Sequence, residues 1–99
     1  MVLLLVSGRA RPDHAAEAEE FVHTVGTYFP GAELYADEFG PVSQLHFLVP
    51  FDSLAAYEER MERLRQDPHY LRLWEDGLQW FDTDHLEFRV LRQLSPTLE

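Results

Sequence analysis

The chain has 99 residues, 45% of them apolar and 13% aromatic, and a net charge of −10. That length suits one domain over residues 1–99, burying about two-thirds of the surface its unfolded chain would expose. Eight Arg, no Lys and no Cys against eighteen acids exclude a lysine Schiff base, a P-loop lysine, thiol nucleophiles, disulfides and thiolate metal sites, and make nucleic acid and anionic membrane poor partners.

Val2 to Arg9 is a near-continuous apolar run, as in a central strand buried on both faces. It is too short, and lacks the basic flank, for a signal peptide. No segment approaches the length of a membrane span. A chain without cysteine fits a reducing compartment, so the expected location is the cytoplasm. Arg11-Pro12-Asp13 opens a helix, with Pro in its first turn. Ala18, Phe21, Val22, Val25, Tyr28 and Phe29 form its apolar stripe, and Glu17, Glu19 and Glu20 sit where acids complement the dipole. Pro30-Gly31 ends it.

Ala32 to Glu38 alternates, with Glu33, Tyr35 and Asp37 on one side and Leu34 and Ala36 on the other, as in a short edge strand. Phe39-Gly40-Pro41 reads as a hairpin turn and Val42 to Val49 as the third strand. On that strand Leu45, Phe47 and Val49 share one face; Gln44, His46 and Leu48 share the other. Asp52 or Ser53 is the expected N-cap of a second helix, whose stripe is Leu54, Tyr57, Met61 and Leu64. Asp67-Pro68 interrupts it and caps a short helix with the stripe Tyr70, Leu71, Trp74, Leu78 and Phe81. Asp82-Thr83-Asp84 reads as a loop and His85 to Leu94 as the last strand, with Leu86, Phe88 and Val90 opposite Glu87, Arg89 and Leu91. Ser95-Pro96 begins a tail.

The order β-α-β-β-α-β with short loops is the ferredoxin-like motif, an α+β fold. It predicts a four-stranded antiparallel sheet with the helices on one face. The other face then carries Tyr35, Leu48, Leu91 and alternate residues of the first strand, a surface suited to a partner or ligand. His46 lies on that face, with Tyr35, Glu87 and Arg89 on matching faces of their strands. Partly desolvated there, His46 is a candidate proton acceptor and Arg89 a candidate holder of an anionic oxygen. The same four residues also read as a hydrogen-bond network that sets a dimer interface, the reading to be preferred because buried charges must be paired whatever their purpose. Asp82-x-Asp84-His85 looks like a fragment of a metal loop, but no second cluster stands at ligand spacing, and no metal is expected. His69 follows a Pro at a helix start, where solvation is expected.

The β-α-β-β-α-β order, with the runs Phe51-Asp52-Ser53-Leu54-Ala55-Ala56-Tyr57-Glu58-Glu59-Arg60 and Leu64-Arg65-Gln66-Asp67-Pro68-His69-Tyr70, resembles the dimeric α/β-barrel superfamily. That superfamily includes NIPSNAP proteins, antibiotic-biosynthesis-type monooxygenases, muconolactone isomerases and EthD-like proteins. The resemblance covers residues 2 to 93. The first strand departs from it, lacking the tyrosine-rich opening usual in NIPSNAP chains. The resemblance implies a homodimer with its sheets face to face, binding a small, mostly apolar molecule without a cofactor. The implied activity is cofactor-independent monooxygenation or isomerisation, with Tyr35, His46, Glu87 and Trp74 as ligand-binding residues and His46 and Arg89 as the catalytic ones. The alternatives are a non-catalytic binding or structural protein and a dimeric stress or regulatory protein. A second location implied by the superfamily is a helix-side cavity lined by Trp74, Trp80, Phe21, Tyr57 and His14 or His23. Those aromatics fall on helical stripes that must be buried anyway, so ordinary core is the preferred reading. A haem-degrading Asn-Trp-His set is ruled out, because the chain has no Asn.

Overall fold

In the computed structural model, which describes residues 1–37 and 44–94, the elements follow the expected order. They are β1 (Val2–Ala10), α1 (Ala15–Gly26), β2 (Glu33–Ala36), β3 (Gln44–Phe51), α2 (Leu54–Arg65), α3 (Pro68–Gly77) and β4 (Phe81–Arg92). Single 3-10 turns, Pro12–His14 and Leu78–Trp80, precede α1 and β4. The starts of α2 and α3 have a chemical cause. The Ser53 hydroxyl accepts the Ala56 N–H at 3.1 Å and so caps α2. The Asp67 carboxylate accepts the N–H groups of His69 at 2.9 Å and Tyr70 at 3.3 Å, and Pro68 sits where α3 needs no donor. α1 ends at Gly26, earlier than the apolar stripe implies, and Tyr28 and Phe29 lie in the following turn. Gly31 then adopts φ of +78°, which favours a residue without Cβ.

The sheet has the order β2-β3-β1-β4, with every neighbouring pair antiparallel. This is the ferredoxin-like arrangement, and the sheet of one chain is open at both edges. One face of β1 and β3, Leu4, Val6, Phe47 and Val49, packs with Ala18, Phe21, Val22 and Val25 of α1, Leu64 of α2 and Tyr70 of α3. All three helices therefore cover the same face. Edge-on aromatic contacts bind this core, among them Phe21 on Trp74 at 5.1 Å and Phe21 on Phe81 at 5.6 Å. Gly77 is where α3 approaches α1, its Cα lying against the Phe21 ring.

Two expectations need correction. Asp82-Thr83-Asp84 is not a loop but part of β4, in a bulge. Arg9 pairs with Asp82 while Ser7 pairs with Glu87, so β4 spends five residues where β1 spends two. Leu54 and Leu71 belong to the predicted stripes but are 52% and 49% exposed, one helical step off the buried faces. Phe88 and Val90 point to the helix side, yet the helix layer stops short of the edge strand and leaves them 56% and 41% exposed. The Phe39-Gly40-Pro41 turn and the Ser95-Pro96 tail lie outside the described residues.

Candidate functional site

The sheet face away from the helices carries the candidate site, and strand register places its residues. Tyr35 pairs with His46, His46 with Ser7, and Ser7 with Glu87, so these four form one row across β2, β3, β1 and β4. The next row is Glu33, Leu48, Leu5 and Arg89. Beyond it lie Pro50, Leu3 and Leu91. The face is thus polar at one end and apolar at the other. Leu3, Leu5, Leu48, Pro50 and Leu91 are only half-buried in the single chain.

His46 is held on both ring nitrogens. Its Nε2 lies 2.7 Å from Asp37 Oδ1, and its Nδ1 lies 2.7 Å from Ser7 Oγ. An ionised carboxylate only accepts, so Nε2 carries the proton. In the neutral ring Nδ1 is then the acceptor and the Ser7 hydroxyl donates to it. Asp37 fixes the tautomer, His46 holds the hydroxyl, and the three form a short proton relay. Ser7 is 7% exposed.

The sequence placed His46, Tyr35, Glu87 and Arg89 on one face, and the register brings them there. Glu87 does not hold His46. Its Oε1 lies 3.4 Å from Arg89 Nε, so the Arg89 guanidinium already has a carboxylate. The Tyr35 hydroxyl donates to Glu33 Oε2 at 2.9 Å, and that carboxylate holds the Tyr35 hydroxyl above the usual tyrosine range. The residues missed in the sequence are Ser7 and Asp37. The signal for Ser7 was a lone hydroxyl in an apolar strand. That for Asp37 was its period of two with Tyr35, which sets it diagonal to His46 once the hairpin register is known.

Trp74, grouped with these residues by resemblance, lies across the sheet among the helices. It packs on Phe21, on Tyr70 at 6.4 Å and on Phe88 at 5.5 Å. The cavity it lines with Val6, Phe21, Phe47 and Phe81 measures about 10 Å³, the room one water needs. The Trp74 indole N–H is buried without a hydrogen-bond partner among the described residues. Trp80 stacks on His14 at 4.9 Å, and Tyr57 packs edge-on to Phe51 at 5.5 Å. His23 is exposed on α1 beside Glu19. These groups serve the core and its margin.

Asp82, Asp84 and His85 build the bulge. Asp82 accepts the Asp84 N–H at 3.1 Å and pairs with His85 Nδ1 at 3.0 Å. The Asp84 N–H, and after it His85, hold the Asp82 carboxyl below its usual range. Among the described residues no three His, Cys, Asp or Glu side chains cluster as metal ligands. No helix among them is long and apolar enough to cross a membrane.

The order of elements, the all-antiparallel sheet and the one-sided helix layer define a ferredoxin-like α+β protein. The model of the NIPSNAP family matches residues 9–96, and the chain belongs to that family. Among solved structures it is similar to a NIPSNAP family protein from Agrobacterium tumefaciens. That match has 17% identity and a TM-score of 0.78, covering 94% of this chain and 92% of the other. A NIPSNAP domain protein from Burkholderia xenovorans matches over 100% of both chains, at 16% identity and a TM-score of 0.78. SnoaB, a cofactor-independent oxygenase from Streptomyces nogalater, shares the fold at 12% identity and a TM-score of 0.74, over 99% and 97% of the two chains. No curated protein matches the chain in sequence.

Proposed function

We propose that the protein is a homodimer, its two sheets packed face to face, that binds a small molecule at the polar end of the interface. The observation that carries this reading is the division of the outer sheet face. Its apolar end, Leu3, Leu5, Leu48, Pro50 and Leu91, is left half-buried by the single chain, and a second sheet about 10 Å away would bury it. The polar end, with Ser7, His46 and Tyr35, offers donors and acceptors inside the same enclosure. A ligand there meets apolar walls and a few placed polar groups, as small-molecule sites require. The chemistry the relay supports is proton transfer. A ligand proton passes to Ser7 Oγ as the Ser7 proton passes to His46 Nδ1, and the imidazolium is held by Asp37. Isomerisation needs only that proton and its return, so no cofactor is called for. The shared fold of SnoaB supports cofactor-independent oxygenation as the other use of such a proton acceptor.

A non-catalytic role is favoured by a separate observation. Both His46 nitrogens are already engaged, which suits a network that fixes the interface. Thermal-shift screening of small carbonyl compounds with wild type and His46→Ala separates the two. Binding with proton transfer predicts compounds that stabilise the wild type and not the variant, with the variant still dimeric by sedimentation. Identical shifts for both proteins would overturn it, and a variant that is monomeric would favour the non-catalytic role.

A further inference from the structure

We infer that Arg9 holds the anionic end of the ligand on the outer sheet face, and that the ligand it selects for the Ser7, His46 and Asp37 relay is a small 2-oxo acid. This rests on the relay reading above and goes beyond it by naming a further residue and a substrate class. Arg9 stands two residues beyond Ser7 on β1, so the two side chains leave the same face about 6–7 Å apart. It pairs with Gln44 of β3 on one side and with Asp82 of β4 on the other. Asp37, whose carboxylate holds His46, donates its backbone N–H to the Gln44 carbonyl at 3.1 Å and so extends the same row. Arg9 is half-buried there, at the edge of the relay.

Arg63, Arg65 and Arg89 each meet a carboxylate; among the described residues Arg9 meets none. The acids around it are committed elsewhere. Asp82 spends Oδ1 on the Asp84 N–H and Oδ2 on His85. Of the influences that hold its carboxyl down, the Asp84 N–H is the largest and the Arg9 charge the smallest. Asp37 Oδ1 is on His46, Glu87 is on Arg89, and Glu33 accepts the Tyr35 hydroxyl. A half-buried guanidinium left over in this way is completed by an anionic ligand. Its planar fork takes two oxygens side by side. A 2-oxo acid supplies such a pair, one carboxylate oxygen and the keto oxygen, and sets the carbon next to the keto group on the Ser7 side. Ser7 Oγ takes a proton from that carbon as its own proton passes to His46 Nδ1. The C–H electron pair becomes the enolate double bond, and the keto π electrons move to the oxygen already held by Arg9. Negative charge therefore builds where the cation stands, and return of the proton to carbon completes the cycle.

The test uses 2-oxobutanoate and its methyl ester, two probes that differ by one charge. Binding is read by NMR titration, and proton transfer by deuterium uptake from heavy water at the carbon next to the keto group. Wild type should bind the acid roughly tenfold more tightly than the ester. Arg9→Gln should bring the two affinities to within about twofold, and Arg9→Lys should keep part of the preference, with both variants folded by circular dichroism. His46→Ala should lose deuterium uptake and keep the preference for the acid. Equal binding of acid and ester by wild type, or a preference that survives Arg9→Gln, overturns the role of Arg9 and leaves the relay standing. A preference that Arg9→Gln removes, with no protein-dependent deuterium uptake in wild type, overturns the relay and leaves the anion site standing. No binding of either probe overturns the 2-oxo acid as the ligand class.

Discussion

Gly77→Ala and Gly26→Ala add the same methyl group near the ends of two helices, and the structure assigns them opposite signs. A Cβ at Gly77 would stand 2.2 Å from Cδ1 and Cε1 of Phe21 and 2.8 Å from its Cγ. Phe21 is 6% exposed and clasped by the Trp74 and Phe81 rings, so it cannot swing aside without opening the core. Overpacking of this kind costs about 1–3 kcal/mol, and the better helix propensity of Ala returns at most about 1 kcal/mol. A net loss of about 1 kcal/mol lowers the Tm of a domain this size by roughly 5 °C. At Gly26 the nearest atoms are Leu34 Cδ2 at 3.6 Å and Ala32 Cβ at 3.9 Å, ordinary contact. There the restricted unfolded chain should gain about 0.4–1 kcal/mol. Thermal and urea unfolding followed by circular dichroism measure both. Gly77→Ala melting at or above wild type, or Gly26→Ala falling as far as Gly77→Ala, would refute the packing of α3 on α1.

Trp74→Ala and Tyr57→Ala should each lose about 3 kcal/mol in urea unfolding, because both rings pack into the helix-side core; unchanged midpoints would place them in a ligand cavity or on the surface. Asp67→Ala removes the acceptor of two N–H groups and should cost about 1 kcal/mol, with Asp67→Asn recovering most of it; equal losses would deny the cap. The Asp82 carboxyl, held down by the Asp84 N–H and by His85, should titrate below the ordinary 3.8 in carbon NMR. Its contribution is therefore full above the unfolded value and fades as pH falls through the lower folded one. Asp82→Asn should flatten the acid limb of the stability curve, and a titration at or above 3.8 would contradict the bulge geometry.

The fold was legible because its signals are local. The period of two in Gln44 to Val49, the stripe Ala18, Phe21, Val22 and Val25, and the caps at Ser53 and Asp67 each depend on a few neighbouring residues. The β4 bulge was not legible, because Asp82, Thr83 and Asp84 have turn chemistry and only pairing with Arg9 and Ser7 of β1 makes them strand. Leu71 misled for a similar reason. Tyr70 and Leu71 are adjacent on a helix, about 100° apart, and the neighbouring layer rather than the stripe decides which of them is covered. At the site, one-face placement of Tyr35, His46, Glu87 and Arg89 followed from alternation alone. The partners of His46 did not. Asp37 reaches it on a diagonal set by hairpin register, and Ser7 reaches it from a strand 39 residues away in sequence. The Glu87–Arg89 ion pair, two apart on one strand face, was readable in advance as part of an interface network.

The central claim is that the half-apolar outer sheet face is covered by a second copy of this chain. Sedimentation equilibrium of the wild-type protein at micromolar concentration tests it directly. The account predicts a species of twice the 11.6 kDa chain mass. A single species at the chain mass itself would contradict it, and with it the enclosure in which Ser7, His46 and Asp37 are proposed to meet a ligand.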